Sequence, residues 1–518
     1  MGNPLILSID CGTQSLRAIL FDENGEIQGK VQKPFEPPYF SVSPGWAEQE
    51  PLFYYDALCC SVNRLKSEKP DLFGNIIGVC VTTQRDTMCF LGKSGESVRP
   101  AILWLDQREA PVKLKDKVKP HEYMMFKAVH MTESLESVVK MGRPEWVKAN
   151  EPENWAKTDK TVFLSCFLNY RLTGKMADSI ANIIGHVPFD VKVPGWAKES
   201  DFKYRCFGIG KDKLPELIPS GELLGKITAA AARETGIPEG LPVYAAASDK
   251  GAETLGNGAI TEDVASISFG TTATVQLTTK KYVEPLSFIP PYPAAIAGYY
   301  NPEFQVYRGY WMINWFKKEF AAHEIEEAAK TGARPEALLD RRLKEIPPGC
   351  DGLMLQPYWT PGIKMVNAKG AIIGFNDSHN RIHLYRAIIE GINYALMDGM
   401  GMIQAKTKTP VTKIALSGGG AQSDEVGRIT ADMFGLPVCR VQTFETSGLG
   451  AAIIGFVAAG VYKDYNEAVG KMVRNISVFE PDPENAATYK RLYDEVYRNM
   501  FKSLSPMYKT IKGILKIN

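Results

Sequence analysis

Two stretches of this chain share one pattern of hydrophobic and polar positions. In residues 5–22 the apolar run Leu5-Ile6-Leu7-Ser8-Ile9 reaches a polar turn, Asp10-Cys11-Gly12-Thr13-Gln14-Ser15, and apolar positions dominate again from Leu16 to Phe21. Short apolar runs on either side of a glycine-bearing turn predict two strands joined as a hairpin. The same order returns at Ser266-Ile267-Ser268-Phe269-Gly270-Thr271-Thr272-Ala273-Thr274-Val275, and this echo predicts two related halves. After the first hairpin the pattern predicts a helix over 51–66, a strand over 76–83 and a hairpin-like segment over 88–103 turning at Lys93-Ser94-Gly95. A helix over 161–172 stops at Gly174, and a strand over 242–247 runs into Ser248 and Asp249. Beyond the second hairpin, over 264–278, helices are expected at 311–322 and 383–400, then a strand at 413–417 and a helix at 423–434. An apolar helix from about Gly448 and a charged helical tail past Val478 complete the chain. Strands alternating with helices predict an α/β fold, with one domain over 1–255 and a second over 256–518.

Composition narrows the class. A chain of 518 residues with 45% hydrophobic and 23% charged positions is a globular protein of several domains. Lys+Arg number 60 against Asp+Glu 59, so no global field favours nucleic acid or an anionic membrane. The lysines of 112–119 alternate with apolar residues and read as a solvated face. Nine cysteines, with Cys59-Cys60 adjacent and no C-x-x-C, signal neither a disulfide framework nor a zinc site. This cysteine usage fits a reducing cytoplasm, the expected location, and no signal peptide is visible at the N-terminus. The uncharged stretch 446–462 contains four glycines, is shorter than the ~20 residues of a membrane span, and reads as a buried helix. Pattern alone leaves a homodimer open.

The polar turn at 10–17 has the parts of an anion grip. Gly12 lets backbone N–H groups approach an anion, Thr13 and Ser15 add hydroxyls, Arg17 adds charge, and Asp10 can hold Mg2+ through its water shell. An ordinary hairpin has the same local pattern. The loop Gly418-Gly419-Gly420-Ala421-Gln422-Ser423 ends a strand and opens a helix, where a nucleotide can lie against bare backbone; a plain glycine turn is the alternative. The absence of G-x-x-x-x-G-K-[ST] and of a nucleophile elbow argues against a P-loop enzyme and an α/β-hydrolase. Gly448, Gly450 and Gly455 have the wrong spacing for a dinucleotide fingerprint and fit close helix packing. Asp249, after a buried-looking strand, is a candidate base, or else a helix N-cap, as Ser248 could also be. Gln84-Arg85-Asp86 offers two donors and a carboxylate suited to vicinal hydroxyls. Trp104-Leu105-Asp106-Gln107-Arg108 adds a second such cluster with an aromatic face. Either cluster alone also reads as a surface ion-pair group.

Taken together these motifs resemble the FGGY family of carbohydrate kinases, within the actin, hexokinase and heat-shock-chaperone ATPase fold. Asp10-x-Gly12-Thr13-x-Ser15-x-Arg17 is similar to the family's first phosphate loop, and Gly270-Thr271-Thr272 to its second. Gly419-Gly420-Ala421-x-Ser423 is similar to the adenosine loop, with Asp424 at a position that approaches the base or ribose. Gly370-x-Ile372-x-Gly374-Phe375, followed after seven residues by His383-Leu384-x-x-Ala387-Ile388-Ile389-Glu390, is close to the C-terminal pattern. The resemblance implies two ribonuclease-H-like domains with a central interdomain cleft, and ATP and Mg2+ as cofactors. It also implies Asp249 as catalytic base, Asp10 and Asp249 framing the metal, and Gln84, Arg85, Asp86, Trp104 and Asp106 around the substrate.

The chain departs from the family pattern at several positions. Gln14 stands where many members have a second Thr. Lys250 follows the base where Gln or Asn is common; it could contact an anionic or extra hydroxyl group of the substrate, and pairing with Glu253 is its plainer role. Asn314 resembles a polar residue near the nucleotide, with Tyr310 and Trp311 replacing smaller neighbours. Gln84-Arg85-Asp86 is similar to the Gln-Arg-Glu of glycerol kinases, whereas Trp-x-Asp-x-Arg looks more like pentulose kinases. The expected activity is ATP-dependent phosphorylation of a primary hydroxyl on a small sugar or polyol: a pentulose such as xylulose first, glycerol or a related polyol next, an aldonic acid after these. The rival from another class is an actin-like or chaperone-like ATPase that needs no sugar.

Overall fold

The computed structural model describes residues 2–286, 289–360, 362, 365 and 367–515, and the backbone divides into two units. Unit one comprises Met1–Gly256, Tyr292–Tyr300 and Glu445–Val473. Its main sheet contains β1 (Leu5–Cys11), β2 (Ser15–Asp22), β3 (Ile27–Pro34), β4 (Ile76–Thr83), β5 (Leu223–Lys226) and β6 (Pro242–Tyr244), in the order β5-β6-β4-β1-β2-β3. The first three strands form an antiparallel meander, β4 runs parallel to β1, β6 runs parallel to β4, and β5 closes the edge antiparallel. The hairpin read from the sequence forms with Leu5 opposite Asp22 and Cys11 opposite Leu16.

All of β1 is buried, as befits a central strand covered on both faces. Side chains alternate across the sheet, so Leu5, Leu7, Ile9 and Cys11 join Tyr54, Leu58 and Phe167 in one core. Ile6, Ser8 and Asp10 occupy the other face. There the helix Thr446–Ala458 approaches so closely that a Cβ on Gly455 would lie 2.9 Å from Ile6 Cγ2. This helix also meets the helix Asp249–Gly256 backbone to backbone: a Cβ on Gly450 would lie 1.8 Å from the Ala252 carbonyl oxygen, and one on Gly256 2.0 Å from that of Thr446. The glycine spacing therefore serves packing. It also draws Glu445–Val473 into unit one, although the preceding strands belong to unit two.

Some element boundaries differ from those expected. The helix expected from 161 begins at Leu164, because Lys160–Phe163 pairs antiparallel with Met88–Leu91 in a small second sheet. The strand expected over 242–247 stops at Tyr244; Ala245 still exchanges backbone hydrogen bonds with Gly221 and Glu222, and beyond it the chain leaves the sheet, with Ser248 N–H donating to the Ala181 carbonyl at 3.3 Å. That departure places Asp249 at a helix start rather than in the sheet.

Unit two comprises Asn257–Pro291, Asn301–Phe444 and Arg474–Asn518. Its sheet contains β7 (Val264–Phe269), β8 (Ala273–Gln276), β9 (Glu303–Val306), β10 (Lys413–Ser417), β11 (Val438–Val441) and β12 (Asn475–Phe479), in the order β9-β8-β7-β10-β11-β12. Strand by strand the senses repeat those of unit one: antiparallel meander, two parallel neighbours, antiparallel edge. One difference is that β12 follows its neighbour in the chain whereas β5 precedes it. The sheet packs on the long helix Arg381–Thr407, through Ile388, Ile392 and Leu396 among others. Among the described residues, no helix is long and apolar enough to cross a membrane.

Candidate active site

In each unit the chemistry-bearing segments leave the sheet at the carboxyl ends of its parallel strands, where ligands bind in open α/β sheets. In unit one the register sets Cys11 beside Thr83, so the Gly12 turn and Gln84 emerge side by side, with Gln84 N–H donating to the Cys11 carbonyl at 2.8 Å. The turn at Gly12 closes on itself, its N–H donating to Ser15 O at 3.1 Å. A Cβ on Gly12 would meet only that oxygen, at 3.7 Å, so the space above the turn is open to a ligand rather than filled by the protein. Thr13 Oγ1 donates to Gln84 Oε1 and accepts from Trp104 Nε1, both at 2.9 Å. Its proton is therefore committed within the protein. Ser15 Oγ accepts from Gln32 Nε2 at 3.2 Å. Arg17 pairs with Asp10 at 3.2 Å and with Glu445 at 3.0 Å, so two carboxylates already balance the charge expected to face phosphate.

Burial pushes the Asp10 carboxyl up to about 6; Arg17 opposes this, while Asp249, Glu445 and Glu253 add repulsion. Asp249 is the first residue of its helix. The capping role falls to Ser248, whose Oγ accepts from Gly251 N–H at 3.4 Å and whose carbonyl accepts from Ala252 N–H at 2.8 Å. Asp249 Oδ1 accepts from Lys250 N–H at 2.8 Å, and its second oxygen has no protein partner among the described residues. Burial raises the Asp249 carboxyl above the ordinary range, against the pull of Lys250 and Arg85. Lys250 Nζ pairs with Glu253 at 2.7 Å, the plainer of its two roles.

The remaining residues expected at the substrate divide into two groups. Gln84 is held at both ends of its amide, by Thr13 and by Tyr54 Oη at 3.4 Å, and acts as a brace. Asp106, expected near the substrate, is instead held by the protein itself. Its carboxylate is buried and accepts from Ala47 N–H at 2.6 Å, from Arg108 N–H at 2.9 Å and from the Arg108 guanidinium at 2.8 Å on both oxygens. No oxygen is left facing outward. Arg85 and Asp86 lie on the turn after β4, with the Arg85 guanidinium 4.4 Å from the Tyr292 ring centroid. Asp86 is ion-paired with Arg143 at 2.9 Å. Sequence reading missed Arg143, His186, Tyr292 and Glu445. No local spacing marks them, since each reaches its partner only through the fold.

Unit two repeats the arrangement with backbone in place of charge. Ser268 pairs with Ser417, which sets the Gly270-Thr271-Thr272 turn beside Gly418. Gly418 has φ 81°, and a Cβ there would lie 2.7 Å from the Phe269 backbone, so only glycine fits. Gly420 rests on the Tyr310 ring, itself stacked on Phe269 at 4.8 Å. The Gly270 carbonyl accepts from Tyr310 N–H at 3.0 Å and the Thr271 carbonyl from Trp311 N–H at 3.3 Å, while Thr272 Oγ1 donates to the Tyr307 carbonyl at 3.2 Å. Ala421 is buried, and its carbonyl accepts from Arg440 at 3.0 Å; Gly419 stays exposed. Ser423 caps the helix Asp424–Phe434, accepting from Val426 N–H at 3.3 Å. Asp424 pairs with Arg440 at 2.8 Å, and Asn314 is exposed on the helix Trp311–Phe320.

Residues 5–256 match the N-terminal domain, and residues 265–459 the C-terminal domain, of the FGGY family of carbohydrate kinases. The chain belongs to this family. It is a carbohydrate kinase with the two-domain α/β fold of the actin and hexokinase type. This FGGY kinase is 28% identical to an uncharacterised sugar kinase of Escherichia coli, YgcE, over 99% of its own length and 98% of the relative's. It is 28% identical to a xylulose kinase of Lactococcus lactis over 96% and 97% of the two chains, and 25% identical to a gluconokinase of Bacillus subtilis over 98% and 97%. A solved ligand-bound xylulose kinase of Lactobacillus acidophilus superposes with a TM-score of 0.81 over 98% of this chain and 100% of that one, at 22% identity, and so shares the fold.

Proposed function

We propose that this FGGY kinase transfers the γ-phosphoryl group of ATP to a primary hydroxyl of a pentulose such as xylulose, with Asp249 as the general base. The observation that carries this reading is the state of Asp249: half-buried, relieved of capping by Ser248, and with one oxygen unpartnered among the described residues. Such a carboxylate can accept the hydroxyl proton as the oxygen attacks the γ-phosphorus in line. Burial raises its proton affinity, which suits a base that must hold the proton it takes. The open Gly12 turn in unit one offers backbone N–H groups to an anion such as phosphate, the bare loop Gly418–Gly420 in unit two offers them to a nucleotide, and Arg85 and Asp86 meet the hydroxyls of the acceptor. Lys250, already neutralised by Glu253, favours an uncharged acceptor over an aldonic acid.

The donor set around Asp10 fits Mg2+. Burial raises Asp10, with added repulsion from Asp249, Glu445 and Glu253, and hard oxygen ligands of this kind suit a cation that is held through one or two carboxylates and keeps its waters. Asp10 and Asp249 would hold it, and when bound it would neutralise phosphate charge.

Two outcomes follow. An ADP-release assay across xylulose, other ketoses, glycerol and gluconate is expected to show acceleration by xylulose above the rest, with a phosphorylated product by mass. ADP formed equally well without any acceptor would instead favour the ATPase reading. The second concerns stability. Asp10 is raised in the folded state, so its ionisation weakens folding. That penalty is absent below the ordinary carboxylate range, grows as pH rises towards about 6, and is complete above it. In chelator at pH near 7.5, Asp10→Asn is therefore expected to melt higher than the wild type, by on the order of 1–3 kcal/mol, and to lose the stabilisation that added Mg2+ gives the wild type. A variant that melts lower in chelator would show that Arg17 pairing outweighs burial at Asp10.

A further inference from the structure

Segments far apart in the sequence converge on the carboxylate of Asp86. The residue sits on the turn after β4 with φ 55°, a left-handed backbone that asparagine and aspartate tolerate better than most. Its Oδ2 accepts from Arg143 Nη1 at 2.9 Å and lies 3.3 Å from His186 Nδ1. Arg143 opens the helix Arg143–Asn150 and is only 3% exposed; its Nη2 donates to the Leu103 carbonyl at 3.2 Å. One guanidinium thus ties the Arg85-Asp86 turn to the residue before Trp104. His186 is steadied edge-on against the Phe207 ring at 6.1 Å. Gly185 completes the ring, because a Cβ there would lie 2.6 Å from Asp86 Oδ1. That oxygen is buried and has no hydrogen-bond partner among the described residues.

A buried carboxylate oxygen left without a donor is costly, and such atoms in native folds call for an explanation. Here one oxygen is anchored twice, while the other is buried beside Gly185 without a donor, in a space that any side chain at 185 would fill. We propose that Arg143 and His186 are positioning residues that anchor Asp86 Oδ2 so that Oδ1 is presented to a hydroxyl of the sugar acceptor. This rests on the reading of Asp86 as an acceptor-binding residue. Arg143 has a second effect. Burial pushes the Asp86 carboxyl up, yet the Arg143 charge, with His186, holds it below the ordinary range, so it stays ionised. Arg143 and His186 are the charged and titratable groups that face it from the helix Arg143–Asn150 and from the loop at 185–186.

The test is steady-state kinetics of D86N, R143M, R143K and H186Q, with xylulose and glycerol each varied at saturating ATP. R143M is expected to raise the acceptor KM by about 30-fold and H186Q by about threefold, with kcat and the KM for ATP within about twofold of wild type. R143K keeps the charge but not the fork that spans Asp86 and Leu103, and should fall between R143M and wild type. Between about pH 5 and 7 the wild-type acceptor KM should stay flat, whereas that of R143M should rise as pH falls, because Asp86 without the guanidinium takes up a proton. A loss confined to kcat, or a flat pH profile in R143M, overturns the proposal. D86N separates the two claims. If its acceptor KM is unchanged, the assignment of Asp86 to the acceptor fails; if it rises while R143M stays at the wild-type value, the positioning role alone fails. Should R143M lack a cooperative melt, R143K and H186Q decide, and wild-type acceptor KM values in both overturn the inference.

Discussion

Asp249→Asn is expected to lower kcat by about 10³-fold with xylulose, the loss typical of a removed general base, while ATP still binds and the melting temperature does not fall. The fold should survive because Ser248, not Asp249, caps the helix, and an amide oxygen can still accept from Lys250 N–H. Removing a carboxylate that burial already disfavours leaves no unpaired charge behind. The measurement pairs coupled ADP release with calorimetric titration of ATP. Turnover within about threefold of wild type would remove Asp249 from the mechanism. In the wild type, protonation of the raised carboxyl should make kcat fall as pH drops, and this acid limb should vanish from the residual activity of the variant.

Gly450→Ala is expected to destabilise unit one by about 3 kcal/mol and to reduce activity as well. The added methyl would lie 1.8 Å from the Ala252 carbonyl oxygen, a contact between two helix backbones that no rotamer change can relieve. The helices Thr446–Ala458 and Asp249–Gly256 must then separate, and the second carries Asp249, the proposed base, at its first turn. Gly470→Ala is the control. It lies in the helix Tyr465–Met472, nothing comes within 4 Å of its added Cβ, and helix propensity alone should leave it neutral or slightly stabilised. Equal melting of the two variants would contradict the close approach of the two helices.

Much of this molecule was legible before any coordinates. The hairpins at 5–22 and 264–278 form where the apolar runs and Gly-Thr turns place them, because strand length, side-chain alternation and turn chemistry are local properties. Glycine positions carried information for the same reason, though of different kinds. At Gly418 the backbone must be left-handed and pass Phe269 closely; at Gly450 a neighbouring helix requires the space. Spacing already told the packing glycine from the loop glycine, but it could not name the neighbour each one meets. It also could not tell which polar residues the protein itself engages. The family resemblance placed Asp106 and Gln84 around the substrate, yet four hydrogen bonds onto Asp106 and a brace at each end of Gln84 engage both within the protein.

By itself, the sequence determined the family, the repeated strand order of the two halves and the residue types of the loops proposed to hold the nucleotide. Each of these depends on short runs whose meaning does not require distant partners. Tertiary structure decided which of those residues are available. It assigned the cap to Ser248 and left Asp249 with an unpartnered oxygen, balanced Arg17 between Asp10 and Glu445, and brought Arg143 and His186 onto Asp86. Hydrogen bonds and ion pairs between residues far apart in the chain exist only after folding, and they determine whether a charged side chain serves the protein or its substrate.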